Sequence, residues 1–140
     1  MIRVIDASVA VKWFIEEEAH PHADKILEMV VKSPQSFAVP ELFAFEVFSV
    51  LHRLHPDGTM VFQKGIIPLL EGGMLRHPMT SDLALKAGHF VRAGLTGYDA
   101  CYAALAEDIK GLWLTFDEKA HSILKSENIS FCLRDSFPDP

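Results

Sequence analysis

Four acidic residues stand where a chain can put them to chemical use. Asp6 closes the β-type run Ile2-Arg3-Val4-Ile5, and Asp117 follows a second such run, Leu112-Trp113-Leu114-Thr115. Asp99 comes three residues after Thr96, at the start of a helical stretch. Glu46 lies inside a very apolar helical stretch, with Leu42 and Val50 one turn to either side. A carboxylate in such a setting must be protonated, paired with a cation or bound to a metal, because an unpaired buried charge is very costly. Each acid also has a plainer use. Asp6 and Asp117 suit helix N-caps, Asp99 could complete a capping box with Thr96, and Glu46 could pair with a nearby arginine. Together in one pocket, however, four like charges call for a cation or for protons. An all-oxygen donor set selects a hard divalent ion, Mg²⁺ or Mn²⁺ rather than Zn²⁺. Mg²⁺ keeps waters and accepts substrate phosphate, which leaves room for a phosphodiester and an attacking water.

Such a pocket needs a scaffold that carries Asp6, Asp99, Asp117 and Glu46 to one edge. Short strands are expected at Ile2–Ile5, Phe37–Val39, Met74–Leu75, Leu112–Thr115 and Ile129–Cys132. Helical spacing of apolar residues marks Val9–Ile15, Ala23–Val31, Glu41–Leu54, Val61–Leu70, Ser81–Val91, Gly97–Asp108 and Asp117–Leu124. Pro68 kinks or ends the fourth of these, Gly94 stops the helix before it, and the tail Asp135–Pro140 is expected to fray. Strands alternating with helices predict an α/β fold: a Rossmann-like parallel sheet of about four or five short strands flanked by helices. In such sheets ligands bind beyond the carboxyl ends of the strands, which is where Asp6 and Asp117 fall.

The 140 residues read as a single domain, residues 1–140, within the roughly 100–200 residues usual for one. With 49% hydrophobic residues the chain can build a core without staples, and it is too apolar to be disordered. A net charge of −6 argues against nucleic acid held by a broad basic face, but not against nucleic acid handled through a metal ion. No run is long and apolar enough for a membrane span, and Asp6 and Lys12 interrupt any signal-peptide core. Cys101 and Cys132 are far apart, as free thiols of a cytoplasmic protein would be.

The acids and their neighbours, in this order, resemble the PIN-domain ribonucleases, and most closely the VapC toxins of prokaryotic toxin–antitoxin pairs. Val4-Ile5-Asp6-Ala7-Ser8-Val9 resembles the family's opening Asp-x-Ser element, and Pro40-Glu41-Leu42 with Glu46-Val47 its second. The run from Leu95-Thr96-Gly97-Tyr98-Asp99 to Ala106 resembles the third and most specific, and Leu114-Thr115-Phe116-Asp117 the fourth. The likeness covers the chain from Val4 to about Leu124. It implies that Asp6, Glu46, Asp99 and Asp117 bind Mg²⁺ or Mn²⁺, with Ser8 and Thr115 as polar supports. It further implies metal-assisted hydrolysis of RNA, with Asp99 or Asp117 accepting the water's proton. A homodimer and a small antitoxin partner are implied as well. A PIN-domain nuclease of RNA processing outside any such pair, or a PIN binding module that does not cut, are the alternative readings.

Other motifs are weaker. His20-x-His22 and His52-x-x-His55 lack a supporting ligand at a zinc spacing and read as solvent-facing histidines. Ser8 has no Gly-x-Ser-x-Gly elbow around it, and the chain has no phosphate-binding P-loop run. A receiver-like domain would need a phosphorylatable Asp after the third strand, whereas Asp57 sits in a Pro-Asp-Gly turn. A haloacid-dehalogenase-type phosphatase would need an Asp where Ser8 stands. Trp13, Phe43, Phe45 and Phe48 read as core rather than as base-stacking platforms, an apolar face on Phe43–Leu54 or on Ala23–Val31 could instead serve a dimer or an antitoxin, and Lys12, Arg53, Arg92 and Lys119 are candidate phosphate contacts or solvated charges.

Overall fold

The computed structural model describes residues 1–139. Five strands form the sheet: β1 (Arg3–Ile5), β2 (Phe37–Pro40), β3 (Leu75–His77), β4 (Leu112–Thr115) and β5 (Ser130–Cys132). Their order is β3-β2-β1-β4-β5 and every adjacent pair is parallel. The fold is thus the expected α/β arrangement. Strands covered on both faces by helices must be apolar throughout. All of β2 is buried, as are Val4, Ile5, Trp113 and Leu114 at the centre of the sheet.

The helices are α1 (Ala7–Val11), α2 (Pro21–Lys32), α3 (Leu42–Leu54), α4 (Gly58–Val61), α5 (Ile67–Glu71), α6 (Ser81–Arg92), α7 (Gly97–Asp108) and α8 (Glu118–Ile123). The helix α7 is buried on all sides from Ala100 to Ala106. Its four alanines let it lie close against β1, β2, β4 and α6, so the acid in its first turn, Asp99, is carried on a rigid element.

Chain order places the site. The path runs outward from β1 through β2 to β3, then returns to the other side of β1 for β4 and β5. The reversal opens a crevice beyond the carboxyl ends of β1 and β4, the place where open α/β sheets bind ligands. Ile5 pairs with Leu114, and the Asp6 N–H donates to the Leu114 carbonyl at 3.0 Å. Asp6 and the Thr115–Asp117 turn therefore flank this crevice. Gly111 permits the approach to β4: a Cβ there would stand 2.3 Å from the Ile2 carbonyl oxygen. Gly94, with φ of +118°, ends α6 as expected.

Three local expectations change. The helix predicted over Val9–Ile15 is the shorter α1, followed by tight turns and a 3₁₀ turn at Glu16–Glu18. The helix predicted over Val61–Leu70 contains a π-helical segment, Phe62–Ile66, and helical turns continue through Pro68 to Glu71, so the irregularity precedes the proline and the helix does not end at it. The tail does not fray through Asp139. Pro138 is buried, Phe137 meets His22 edge-on and lies under the Lys25 ammonium, and Arg3 donates to the Asp139 carbonyl. An aromatic ring among polar neighbours outweighs the flexibility that prolines and charges suggested. Pro140 lies outside the described residues.

Candidate active site

Asp6 serves two purposes at once. As N-cap of α1 it accepts the Ser8 N–H on Oδ2 at 3.0 Å, which satisfies a helix-end donor. Its side chain is almost wholly buried, and no cation pairs with it: the ion pairs among the described residues are Lys12–Glu18, Lys86–Asp108 and Arg134–Glu118. Burial pushes its pKa up to about 6, the Asp99 charge adds to this, and the hydrogen bonds from Ser8 oppose it.

Glu46 projects from the middle of α3 into the same crevice. The phenol of Tyr102, on α7, donates to Glu46 Oε1 at 2.7 Å. Burial first, then the Asp6 and Asp99 charges, raise the Glu46 pKa, and the Tyr102 hydrogen bond holds it down in part. Burial together with Asp6 and Glu46 raises the Tyr102 pKa well above its ordinary value, so the phenol stays a donor. Tyr102 stacks on Trp113, with ring centroids 5.7 Å apart and planes 11° apart. The fully buried Trp113 Nε1–H has no hydrogen-bond partner. It faces Asp6 and lowers that acid's pKa slightly, the smallest of the influences on it. Two stacked aromatic rings thus form the floor beneath two of the acids.

Asp99 completes a group of three. Thr96 caps α7 by accepting the Asp99 N–H at 3.2 Å, one half of the capping box anticipated from sequence; the Asp99 carboxyl does not reach back to the Thr96 N–H. The Asp99 carboxyl is half-buried and its pKa is raised, first by burial and then by the Asp117 charge. A cavity of about 340 Å³ is lined by Asp6, Ser8, Lys12, Glu46, Arg53 and Asp99, among others. Asp117 stands at its margin. It is exposed, and its Oδ1 caps α8 by accepting the Ala120 N–H at 3.0 Å. Ser8 Oγ accepts the Phe116 N–H at 3.2 Å, and the buried Thr115 Oγ1 accepts the Asp117 N–H at 3.0 Å. Both hydroxyls therefore shape the turn that carries Asp117.

The donor set suits an oxygen-preferring divalent cation: three carboxylates around one cavity, none in an ion pair among the described residues, all driven toward their protonated forms by burial and by neighbouring carboxylates, which for Asp99 is Asp117. Among the described residues, no three His, Cys, Asp or Glu side chains are already gathered closely enough to form a finished ion cage.

Some sequence expectations relocate. Lys12 and Arg53 line the cavity, whereas Lys119 and Arg92 do not. His20 and His22 are half-buried rather than solvent-facing. His20 Nδ1 caps α2 through the His22 N–H, while the two rings reach the Arg134 and Leu133 carbonyls at 3.1 and 2.6 Å. Trp13 and Phe43 pack inward, but Phe45 is 76% exposed and Phe48 is exposed as well.

The PIN-domain family profile matches residues 3–124, most of the chain. The chain belongs to the PIN-domain family. That membership supports a nuclease. This PIN domain is also similar in fold to several solved proteins. One is a toxin–antitoxin complex from Klebsiella pneumoniae, at 16% identity and TM-score 0.63, covering 86% of this chain and 90% of that one. A second is FitAcB from Neisseria gonorrhoeae, at 14% identity and TM-score 0.67, covering 93% and 96%. A third is VapC20 from Mycobacterium tuberculosis, a toxin described as cleaving the sarcin–ricin loop, at 14% identity and TM-score 0.66, covering 86% and 93%. No curated relative matches the sequence.

Sequence reasoning on this PIN domain overlooked Tyr102 and Trp113. Tyr102 follows Asp99 by three residues and so shares its helical face, which was a usable signal. Trp113 lies on a central strand and reads only as core.

Proposed function

We propose that this PIN domain, acting as a single domain over residues 1–140, is a Mg²⁺- or Mn²⁺-dependent endoribonuclease. We further infer that it is the toxin of a VapBC-type pair, a cytoplasmic homodimer silenced by a cognate antitoxin. The observation that carries the nuclease reading is the placement of Asp6, Glu46 and Asp99 around one cavity at the reversal of strand order, with no cation paired to any of them. Such a group is costly at neutral pH unless it holds a metal or takes up protons, and a bound metal relieves all three acids at once. The toxin reading is supported by the kinds of protein this fold resembles.

In this reading Asp6, Glu46 and Asp99 hold the ion, and Asp117 joins from the margin. When bound, the ion supplies a lowered pKa for an attacking water and neutralises charge on the phosphate. Ser8 and Thr115 hold the Phe116–Asp117 turn against α1. Tyr102 keeps one Glu46 oxygen oriented. Asp99 is the better proton acceptor of the two candidates, because it lines the cavity while Asp117 spends one oxygen capping α8. Lys12 and Arg53 offer positive charge to the flanking phosphates.

Purified protein with Mn²⁺ should cleave total RNA, and EDTA should stop it. Cleavage that persists in EDTA would overturn the metal reading. Induced expression should arrest growth, with relief by a co-expressed short neighbouring reading frame, and absence of that relief would remove the toxin reading while leaving the nuclease. Tyr102→Phe keeps the stacked ring and removes only the hydroxyl. Loss of a partner that orients a metal ligand costs about 10–100-fold in metal affinity or activity. Mn²⁺ titration of the Tyr102→Phe protein should show a loss in that range with little change in melting temperature.

A further inference from the structure

Trp113 carries an unanswered polar atom in the middle of the fold. Its side chain is fully buried, and its indole nitrogen is the one buried side-chain N or O without a hydrogen-bond partner among the described residues. An unmade buried hydrogen bond costs free energy, so such an atom calls for a reason. Trp13 shows the usual arrangement: its indole N–H donates to the Ala23 carbonyl at 2.8 Å. A wholly apolar side chain at position 113 would fill the sheet without any orphaned donor.

Strand register identifies the group that this donor faces. β1 and β4 pair in parallel, with Val4 opposite Trp113 and Ile5 opposite Leu114. Paired residues point to the same face of a sheet, and successive residues of an extended chain alternate between faces. Asp6 continues β1 with extended backbone, so its side chain returns to the face of Val4 and Trp113. It is the diagonal neighbour of Trp113, within reach of a long aromatic side chain. Tyr102 packs on that face as well: its ring stacks on Trp113 and its hydroxyl meets Glu46 at 2.7 Å. Asp6 has acceptor capacity left over. A carboxylate offers about four lone-pair sites, and the Ser8 N–H takes one of them, on Oδ2.

We propose that Trp113 is a positioning residue for Asp6: its indole N–H is the donor that orients the Asp6 carboxylate when a divalent cation occupies the cavity. Carboxylates that ligate a metal are themselves hydrogen-bonded, and those partners fix how they present their oxygens. Glu46 already has its donor in Tyr102. Asp6 has the matching one in Trp113. The stacked rings thus carry one donor for each acid, Tyr102 from α7 and Trp113 from β4.

This role rests on the metal-dependent reading of the cavity, and the two fail separately. The chain has two tryptophans, so the isotope-labelled protein gives two indole N–H signals in a nuclear magnetic resonance spectrum. Trp13, already bonded to Ala23, is the internal reference, and Trp13→Phe assigns the signals by difference. Diamagnetic Mg²⁺ is titrated into the parent protein at pH 8. The Trp113 proton signal should move downfield, as a donor's does on gaining an acceptor, while the Trp13 signal stays in place. Calorimetric titration with Mg²⁺ gives a second readout. Trp113→Phe keeps a ring against Tyr102 and removes the N–H, and it should weaken Mg²⁺ binding about 10–100-fold. Leu70→Ala, a buried change in α5, should lower the melting temperature and leave Mg²⁺ affinity unchanged. A Trp113→Phe protein that behaves like Leu70→Ala would overturn the proposal, because Trp113 would then only fill the core. So would an unmoved Trp113 signal in a parent protein that binds Mg²⁺. Should Trp113→Phe fail to fold, the indole signals of the parent still decide. If Mg²⁺ neither binds nor shifts a signal, the metal-dependent reading itself fails, and the positioning role with it.

Discussion

Asp6→Asn is expected to make the metal-free protein more stable at neutral pH while reducing RNA cleavage at least a hundredfold. The stability gain follows from the sign of a proton linkage. In the folded protein the Asp6 pKa is about 6, above its ordinary value of 3.8. The folded state therefore binds this proton more tightly than the unfolded state, and stability falls as pH rises through the interval between those two values. Above it the full cost is present. With about 1.4 kcal/mol for each unit of displacement, the ionised Asp6 costs about 3 kcal/mol. Glu46 and Asp99 are displaced in the same direction and add to the trend. Asparagine removes the charge and retains the cap, because Asn is as good an N-cap as Asp and can accept the Ser8 N–H in the same way. Urea unfolding in EDTA should thus show Asp6→Asn ahead of the parent at pH 8 and level with it near pH 4. A variant that is less stable than the parent at pH 8 would mean that a protein cation already neutralises Asp6, and the metal reading would lose its main support.

Stability and activity part company at this residue because the fold holds a charge it cannot itself compensate. That was partly visible in the sequence. The strand ends at Asp6 and Asp117 are marked by short β-branched and aromatic runs that stop at an acid. Parallel pairing follows from the alternation of those runs with helical stretches. What the sequence could not provide was the relative depth of the acids. Asp6 directly follows β1 and is buried, whereas Asp117 comes one residue beyond the end of the neighbouring β4, after Phe116, and is exposed. The difference arises because α1 starts at once after Asp6 and packs against α3, while Asp117 opens the short α8 at the side of the sheet that carries only β5.

Glu46 illustrates the opposite case. Its apolar neighbours at one-turn spacing already require a partner, and the sequence suggested an arginine or a metal. The partner in place is a tyrosine from another helix, which a local pattern cannot reveal. For Phe45 and Phe48 the core reading fails for a related reason, while the alternative of an apolar outer face on this helix matches their exposure. A helix apolar on nearly every side suggests burial all round, but α3 packs inward through Phe43, Val47 and Leu51 only, and its outer side carries exposed rings. The C-terminal tail depends on contacts with residues more than a hundred positions away, such as Arg3 and His22, so no window of sequence could show that it is held.

The complementary expectation concerns the ion itself. A divalent cation that binds the folded protein and not the unfolded chain stabilises it by mass action, by about 2.7 kcal/mol at a hundredfold excess over its dissociation constant. Mn²⁺ should therefore raise the melting temperature of the parent protein at pH 8, where Asp6 is ionised, and should offset most of the cost that Asp6 imposes in EDTA. At pH 4 the same addition should do little, since Asp6 is then largely protonated in the folded protein and must lose its proton before it can bind. Asp6→Asn should show a small response at either pH, and Asp99→Asn a reduced one at pH 8. Calorimetry across this grid of pH, ion and variant isolates one quantity, the coupling of a cation to the buried carboxylate. If Mn²⁺ stabilises the parent and Asp6→Asn equally at pH 8, the ion binds elsewhere on an acidic surface, and the crevice beyond β1 and β4 is not its site. If the response vanishes with Asp6 and weakens with Asp99, the ion and the acids share one location, the end of the central strand.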